Sequence, residues 1–120
     1  MKKSFPNIRL RRLRANSSIR NLVRENVLSP FDLIQPLFVI EGKNKIEKIR
    51  SMPSITRMSI DNIVKEVKVL KKLGIQAIAL FPYISKKLKN LSGSESYNQK
   101  GLIQNCIQEI KDKVNDMIII

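Results

Sequence analysis

The sequence predicts an α/β fold, and three observations carry that prediction. Apolar residues between Ile60 and Leu73 recur at helical spacing, and this stretch lies between two short apolar runs, Pro36–Ile40 and Ala77–Phe81. The second run is apolar at every position, as in a strand covered on both faces within a parallel sheet. A second helical stripe and the closing Met117-Ile118-Ile119-Ile120 run complete the order strand, helix, strand, helix, strand. That order belongs to right-handed βαβ crossovers.

The first strand is read from Pro36-Leu37-Phe38-Val39-Ile40, a β-branched and aromatic run bounded by Pro36 and Gly42. Residues 43–58 are polar and irregular, with Pro53 marking a turn. Ser59 then offers a hydroxyl that can accept from an unpaired amide of a first helical turn, and Asp61 suits the positive end of the helix dipole. Ile60, Ile63, Val64, Val67, Leu70 and Leu73 line one face, Lys65, Lys68, Lys71 and Lys72 mostly the others, and Gly74 is the expected stop. Ala77-Ile78-Ala79-Leu80-Phe81 forms the second strand, ended by Pro82, and residues 83–100 make a polar loop. The second helix spans about Gly101 to Val114, with Leu102, Cys106, Ile110 and Val114 at four-residue steps. Met117–Ile120 is the third strand. Three such strands expose apolar edges, and a β/α barrel takes about 250 residues. The expectation is a truncated chain.

Composition excludes more than it suggests. The chain has 120 residues, no His and one Cys, so His-based acid–base or triad chemistry and an internal disulfide are ruled out within it. No apolar run approaches the length of a membrane-spanning helix. The formal net charge is +13, from 23 Lys and Arg against 10 Asp and Glu. Residues 1–24 hold eight of those basic side chains (Lys2, Lys3, Arg9, Arg11, Arg12, Arg14, Arg20 and Arg24) and no acid. The excess therefore sits in a leading arm. Such an arm binds polyanions, serves as a targeting peptide, or lies on a neighbouring subunit. A secretory signal is excluded because Ser4 to Arg9 interrupts any apolar core.

Few residues offer chemistry. Cys106 lies on an apolar helical stripe and reads as core. Ser92-Gly93-Ser94-Glu95-Ser96 lacks both the glycine spacing of a phosphate loop and the flanking glycines of a nucleophile elbow, so it reads as a turn. Lys86, Lys87 and Lys89 follow the second strand, where α/β proteins place their sites, but three lysines crowded in a polar loop read as solvated charge rather than as a Schiff-base lysine. Phe81 closes the second strand at its carboxyl edge and stands either in the core or at a pocket mouth.

A set of short strings runs in order along the chain. Phe5-Pro6 with Arg9-Leu10-Arg11-Arg12-Leu13-Arg14 opens it, and Leu22-Val23-Arg24-Glu25-Asn26 and Asp32-Leu33-Ile34 follow. Pro36-Leu37-Phe38-Val39, Glu41-Gly42, Ser51-Met52-Pro53, Arg57 with Ser59, and Leu73-Gly74-Ile75 continue it. Ala77 to Pro82, Gly93-Ser94-Glu95, Tyr97-Asn98 and Gly101-Leu102 complete it. Together they resemble the porphobilinogen synthase (5-aminolevulinate dehydratase) family. Two positions depart from the pattern: Ser54 stands where the family has Gly, and Ser96 where it has Ala. Ser54 either keeps a negative φ or bears a mild cost at a positive one.

The resemblance implies an N-terminal arm over residues 1–35 and, over 36–120, the first three strands and two helices of a truncated (β/α)8 TIM barrel. It implies condensation of two 5-aminolevulinate molecules into porphobilinogen through two Schiff-base lysines, with zinc or magnesium or both as cofactors. It also implies a homo-octamer held partly by the arm, and a cytoplasmic setting. The lysines, metal ligands and carboxylate-binding arginines would all fall outside this chain, leaving Phe81 as its substrate-pocket residue and the chain inactive alone. Arg9, Arg11, Arg12 and Arg14 fall in the family's mature chain, which favours subunit contact over targeting. The alternative reading is a small basic nucleic-acid-binding domain. Six aromatic residues and the absence of a recognition motif count against it.

Overall fold

A computed structural model describes residue 8 and residues 10–120; Lys2, Lys3, Phe5, Pro6 and Arg9, which carry part of the arm's charge and resemblance, lie outside the described residues. The sheet has five strands: β1 (Ile34–Val39), β2 (Ile46–Lys48), β3 (Thr56–Met58), β4 (Ala77–Pro82) and β5 (Ile118–Ile119). Its spatial order is β2-β3-β1-β4-β5. Among the described residues the α-helices are α1 (Ser17–Leu22), α2 (Ile60–Lys72) and α3 (Leu102–Lys113). The three expected strands appear as β1, β4 and β5, paired in parallel in that order, with α2 and α3 as the connecting helices.

The expected irregular stretch 43–58 is a correction. It holds a hairpin, β2 antiparallel to β3, and β3 runs parallel to β1 on the side away from β4. The turn explains why the hairpin closes. The Ile55 N–H donates to the Met52 carbonyl at 3.1 Å, with Pro53 and Ser54 between them. Ser54 has φ +68, the left-handed conformation that the third position of a type II turn requires and glycine favours. So Ser54 adopts the positive φ and bears its cost.

α2 buries Ile63, Val64, Val67 and Leu70 and ends in a glycine-terminated motif. The Ile75 N–H donates to the Leu70 carbonyl at 3.0 Å and the Gly74 N–H to the Lys71 carbonyl at 3.1 Å. Gly74 is left-handed at φ +89, and an added Cβ would stand 3.2 Å from the Pro30 ring, so the chain entering β1 crosses close over this helix end. Ser59 caps α2 in position but not in the expected way. Its buried hydroxyl turns away from the helix to the preceding loop, accepting from the Lys45 N–H at 2.9 Å, while both Asp61 carboxylate oxygens accept from the Asn44 N–H. The loop after β1 folds back on the helix start and takes these side chains as its partners.

Leu37 and Val39 of β1 and Ile78 and Leu80 of β4 pack under α2 and α3 with Leu102, Cys106 and Ile110. Among the described residues no helix covers the opposite face. Ile34, Phe81, Ile118 and Ile120 are exposed there, so β4, expected to be covered on both faces, is covered on one within this chain. The arm adds a short exposed helix, α1, whose N-cap Asn16 accepts from the Ile19 N–H at 2.9 Å. Overall the chain measures 74 × 32 × 26 Å, with a radius of gyration of 22.5 Å. A compact domain of this length has about 14 Å. The arm projects.

Candidate functional site

Side chains of neighbouring strands in register share a face. Arg57 on β3 is opposite Phe38 on β1, and Phe38 is opposite Phe81 on β4. The three form one row across the uncovered face, at the carboxyl ends of the parallel strands. This is the edge where β/α proteins place their sites. The Phe38 and Phe81 rings stack, with centroids 5.4 Å apart and planes inclined at 28°. Phe81 is 50% exposed in this chain.

The row continues beyond the strand. Pro82 has no N–H, but the Tyr83 N–H donates to the Val39 carbonyl at 2.7 Å, extending the ladder by one step and placing Tyr83 on the side of Phe81. The Arg57 guanidinium lies over the Tyr83 ring, 4.6 Å from its centroid. Arg57 in turn donates to a Glu47 carboxylate oxygen at 3.0 Å, across the β2–β3 ladder where the two residues are partners. Lys45 approaches the other oxygen of Glu47 at 3.7 Å. Two aromatic rings stacked on each other, a third under a guanidinium, and one acid to orient that guanidinium make up the edge. It can hold an apolar ligand surface.

The other candidates resolve as turns or core. Lys86 and Lys87 lie in a short exposed 3-10 turn, with the Ser85 hydroxyl accepting from the Lys87 N–H, and Lys89 follows it, also exposed. The serines of 92–96 are spent locally: Ser92 donates to Asn90 at 2.9 Å, Asn90 also accepts from the Ser94 N–H at 3.0 Å, and Ser96 donates to the Gly93 carbonyl at 2.8 Å. Cys106 is fully buried against the sheet, and that burial, with Glu109 adding, pushes its thiol up to about 12. A thiol held protonated is neither a nucleophile nor a metal ligand at neutral pH.

No group of three or more His, Cys, Asp or Glu side chains converges among the described residues. Nor is any helix among the described residues long and apolar enough to cross a membrane. The residues that composition and spacing missed are Arg57, Glu47 and Tyr83. The available signals were the opposite charges facing each other across a tight turn, and Tyr83 two positions beyond Phe81.

Comparison with known proteins agrees over nearly the whole chain. The delta-aminolevulinic acid dehydratase family matches residues 7–120. A delta-aminolevulinic acid dehydratase of Bradyrhizobium diazoefficiens is 47% identical over 87% of this chain and 30% of its own length. That of Methanothermus sociabilis is 43% identical over 97% of this chain and 35% of its own. The crystal structure of delta-aminolevulinic acid dehydratase (porphobilinogen synthase) from Toxoplasma gondii ME49, in complex with the reaction product porphobilinogen, superposes with a TM-score of 0.84 at 37% identity. It covers 93% of this chain and 32% of that one. The chain thus spans about a third of the length of these relatives.

Proposed function

The chain belongs to the delta-aminolevulinic acid dehydratase family, and from that premise we propose that it forms the N-terminal third of an enzyme condensing two 5-aminolevulinate molecules into porphobilinogen with loss of two waters. The observation that carries the proposal is the position of Phe81. It lies at the carboxyl end of a parallel strand, on the one face that α2 and α3 leave bare. In a (β/α)8 barrel such a face is the inner wall, and the site opens at this end. β1, β4 and β5 would then be the first three barrel strands, residues 36–120 their unit, and residues 1–35 the arm.

In this reading the chain supplies surroundings and no bond chemistry. The Schiff-base lysines and the ligands for zinc or magnesium come from the remaining two thirds. Phe81, with Phe38 stacked behind it, forms an apolar wall of the substrate pocket. Excluding water beside a lysine disfavours its ammonium form, so more of it is the neutral amine that attacks a ketone. The arm would bury its exposed Leu10, Leu13, Leu22, Leu28 and Phe31 on another subunit of a cytoplasmic homo-octamer. Large exposed apolar side chains interleaved with arginines suit a protein interface.

The test is a fusion of this chain to the remaining two thirds of the Bradyrhizobium diazoefficiens relative. It should form porphobilinogen from 5-aminolevulinate. A fusion that folds and assembles yet forms none would overturn the proposal.

A further inference from the structure

We infer that Arg57 is a positioning residue for the substrate pocket, acting through Tyr83 on the segment that carries Phe81. The inference rests on the reading of Phe81 as pocket wall, and goes beyond it by naming what holds that wall.

The chain leaves β4 through Pro82, which cannot donate to a ladder, and beyond it the Tyr83 N–H to Val39 carbonyl bond fastens the backbone to β1. Arg57 adds a second fastening from a different strand. β3 is not a neighbour of β4, so the guanidinium reaches over β1 and its Phe38 ring to cover the Tyr83 face at 4.6 Å. The Glu47 carboxylate at 3.0 Å fixes the plane of that guanidinium. The Arg57 side chain is only 25% exposed, although it stands on a short outer strand. The clamp thus ties β3, β1 and the end of β4 into one rim, with the Phe38–Phe81 stack in the same row.

A planar, weakly hydrated guanidinium can pair with a carboxylate in its plane while stacking on a ring. An ammonium group keeps the charge and loses the stack. This separates a positioning role from a merely ionic one, because the two predict different behaviour for lysine at this position.

The experiment uses the fused enzyme described above. Arg57→Lys and Arg57→Met should each raise KM for 5-aminolevulinate by about tenfold with kcat kept within about twofold, less than the roughly hundredfold that an ångström of misplacement can cost. Tyr83→Phe, which keeps the ring face, should behave as wild type, and Tyr83→Leu should match Arg57→Met. The double variant Arg57→Met with Tyr83→Leu should be no worse than either alone, as for residues acting through one contact. Wild-type KM in Arg57→Lys, or additive losses in the double variant, would overturn the inference. So would a lowered melting temperature with unchanged kinetics. An inactive wild-type fusion would instead count against the function proposed above. The inference then stands or falls on NMR spectra of the 120-residue chain. In these, Arg57→Lys should shift the Tyr83 ring and Phe81 amide signals, and unshifted signals refute it.

Discussion

Replacing Ser54 by glycine should stabilise the chain, and the size of the effect follows from the turn between β2 and β3. Ser54 has φ +68 at the third position of a turn closed by the 3.1 Å Ile55 N–H to Met52 carbonyl bond. A side chain in the left-handed region costs about 1–2 kcal/mol, because Cβ crowds the following carbonyl. Glycine removes that cost but gives back about 0.5–1 kcal/mol through its greater freedom in the unfolded chain. The net gain is about 0.5–1 kcal/mol. In a domain of this size it raises the melting temperature by about 2–6 °C. Thermal unfolding followed by far-ultraviolet circular dichroism measures it, with Ser54→Ala as control. Alanine keeps the Cβ and should leave the midpoint where it is. Equal midpoints for Ser54→Gly and Ser54→Ala would refute the reasoning, since relief of the strain at Cβ is expected to exceed the entropy that glycine gives back.

Three further outcomes are expected. In the fused enzyme Phe81→Ala should lower turnover through lost packing against Phe38 and a wetter pocket, while borohydride still traps substrate on a lysine; loss of trapping would show that Phe81 does more than form a wall. The folded-state thiol of Cys106 is raised from 9.0 to about 12, so below about pH 9 it is neutral in both states, and between about 9 and 12 only the unfolded chain ionises it. Denaturant titrations should therefore show stability falling with rising pH by up to about 1.4 kcal/mol per unit more in wild type than in Cys106→Ala, and parallel slopes would contradict the burial argument. Removing residues 1–24 from the fused enzyme should yield smaller species on a sizing column with the subunit still folded. An unchanged oligomer would sink the assignment of the arm to subunit contact.

What the sequence made legible depends on the range of the interactions involved. α2 was readable because the apolar stripe Ile60, Ile63, Val64, Val67 and Leu70 repeats at helical spacing and its glycine stop, Gly74, follows closely. β4 was readable as a strand, and Cys106 as core, from local apolar pattern alone. The β2–β3 hairpin was not, because three-residue strands such as Ile46-Glu47-Lys48 are too short to show alternation and their pairing rests on the turn at Ser54. The Ser59 hydroxyl was assigned to the helix that follows it, whereas the loop 14 residues earlier claims it, a contact no local rule anticipates. Phe81 was placed at its edge by sequence, but its exposure depends on which face the helices cover. The clamp of Arg57, Glu47 and Tyr83 joins three separate segments through charge and ring geometry, and only their registers bring it together.

The central claim is that this chain shapes the pocket while the bond chemistry lies in the part of the family's length that it does not span. Borohydride reduction in the presence of 5-aminolevulinate, followed by peptide mass spectrometry, tests it in one measurement. The 120-residue chain should carry no reduced adduct, and the fused enzyme should carry one on a lysine contributed by the relative. Lys86, Lys87 and Lys89 stand exposed in and beside a 3-10 turn, outside any closed apolar pocket of the kind that Schiff-base chemistry needs. A reduced adduct on any of these three, in either protein, would contradict the account.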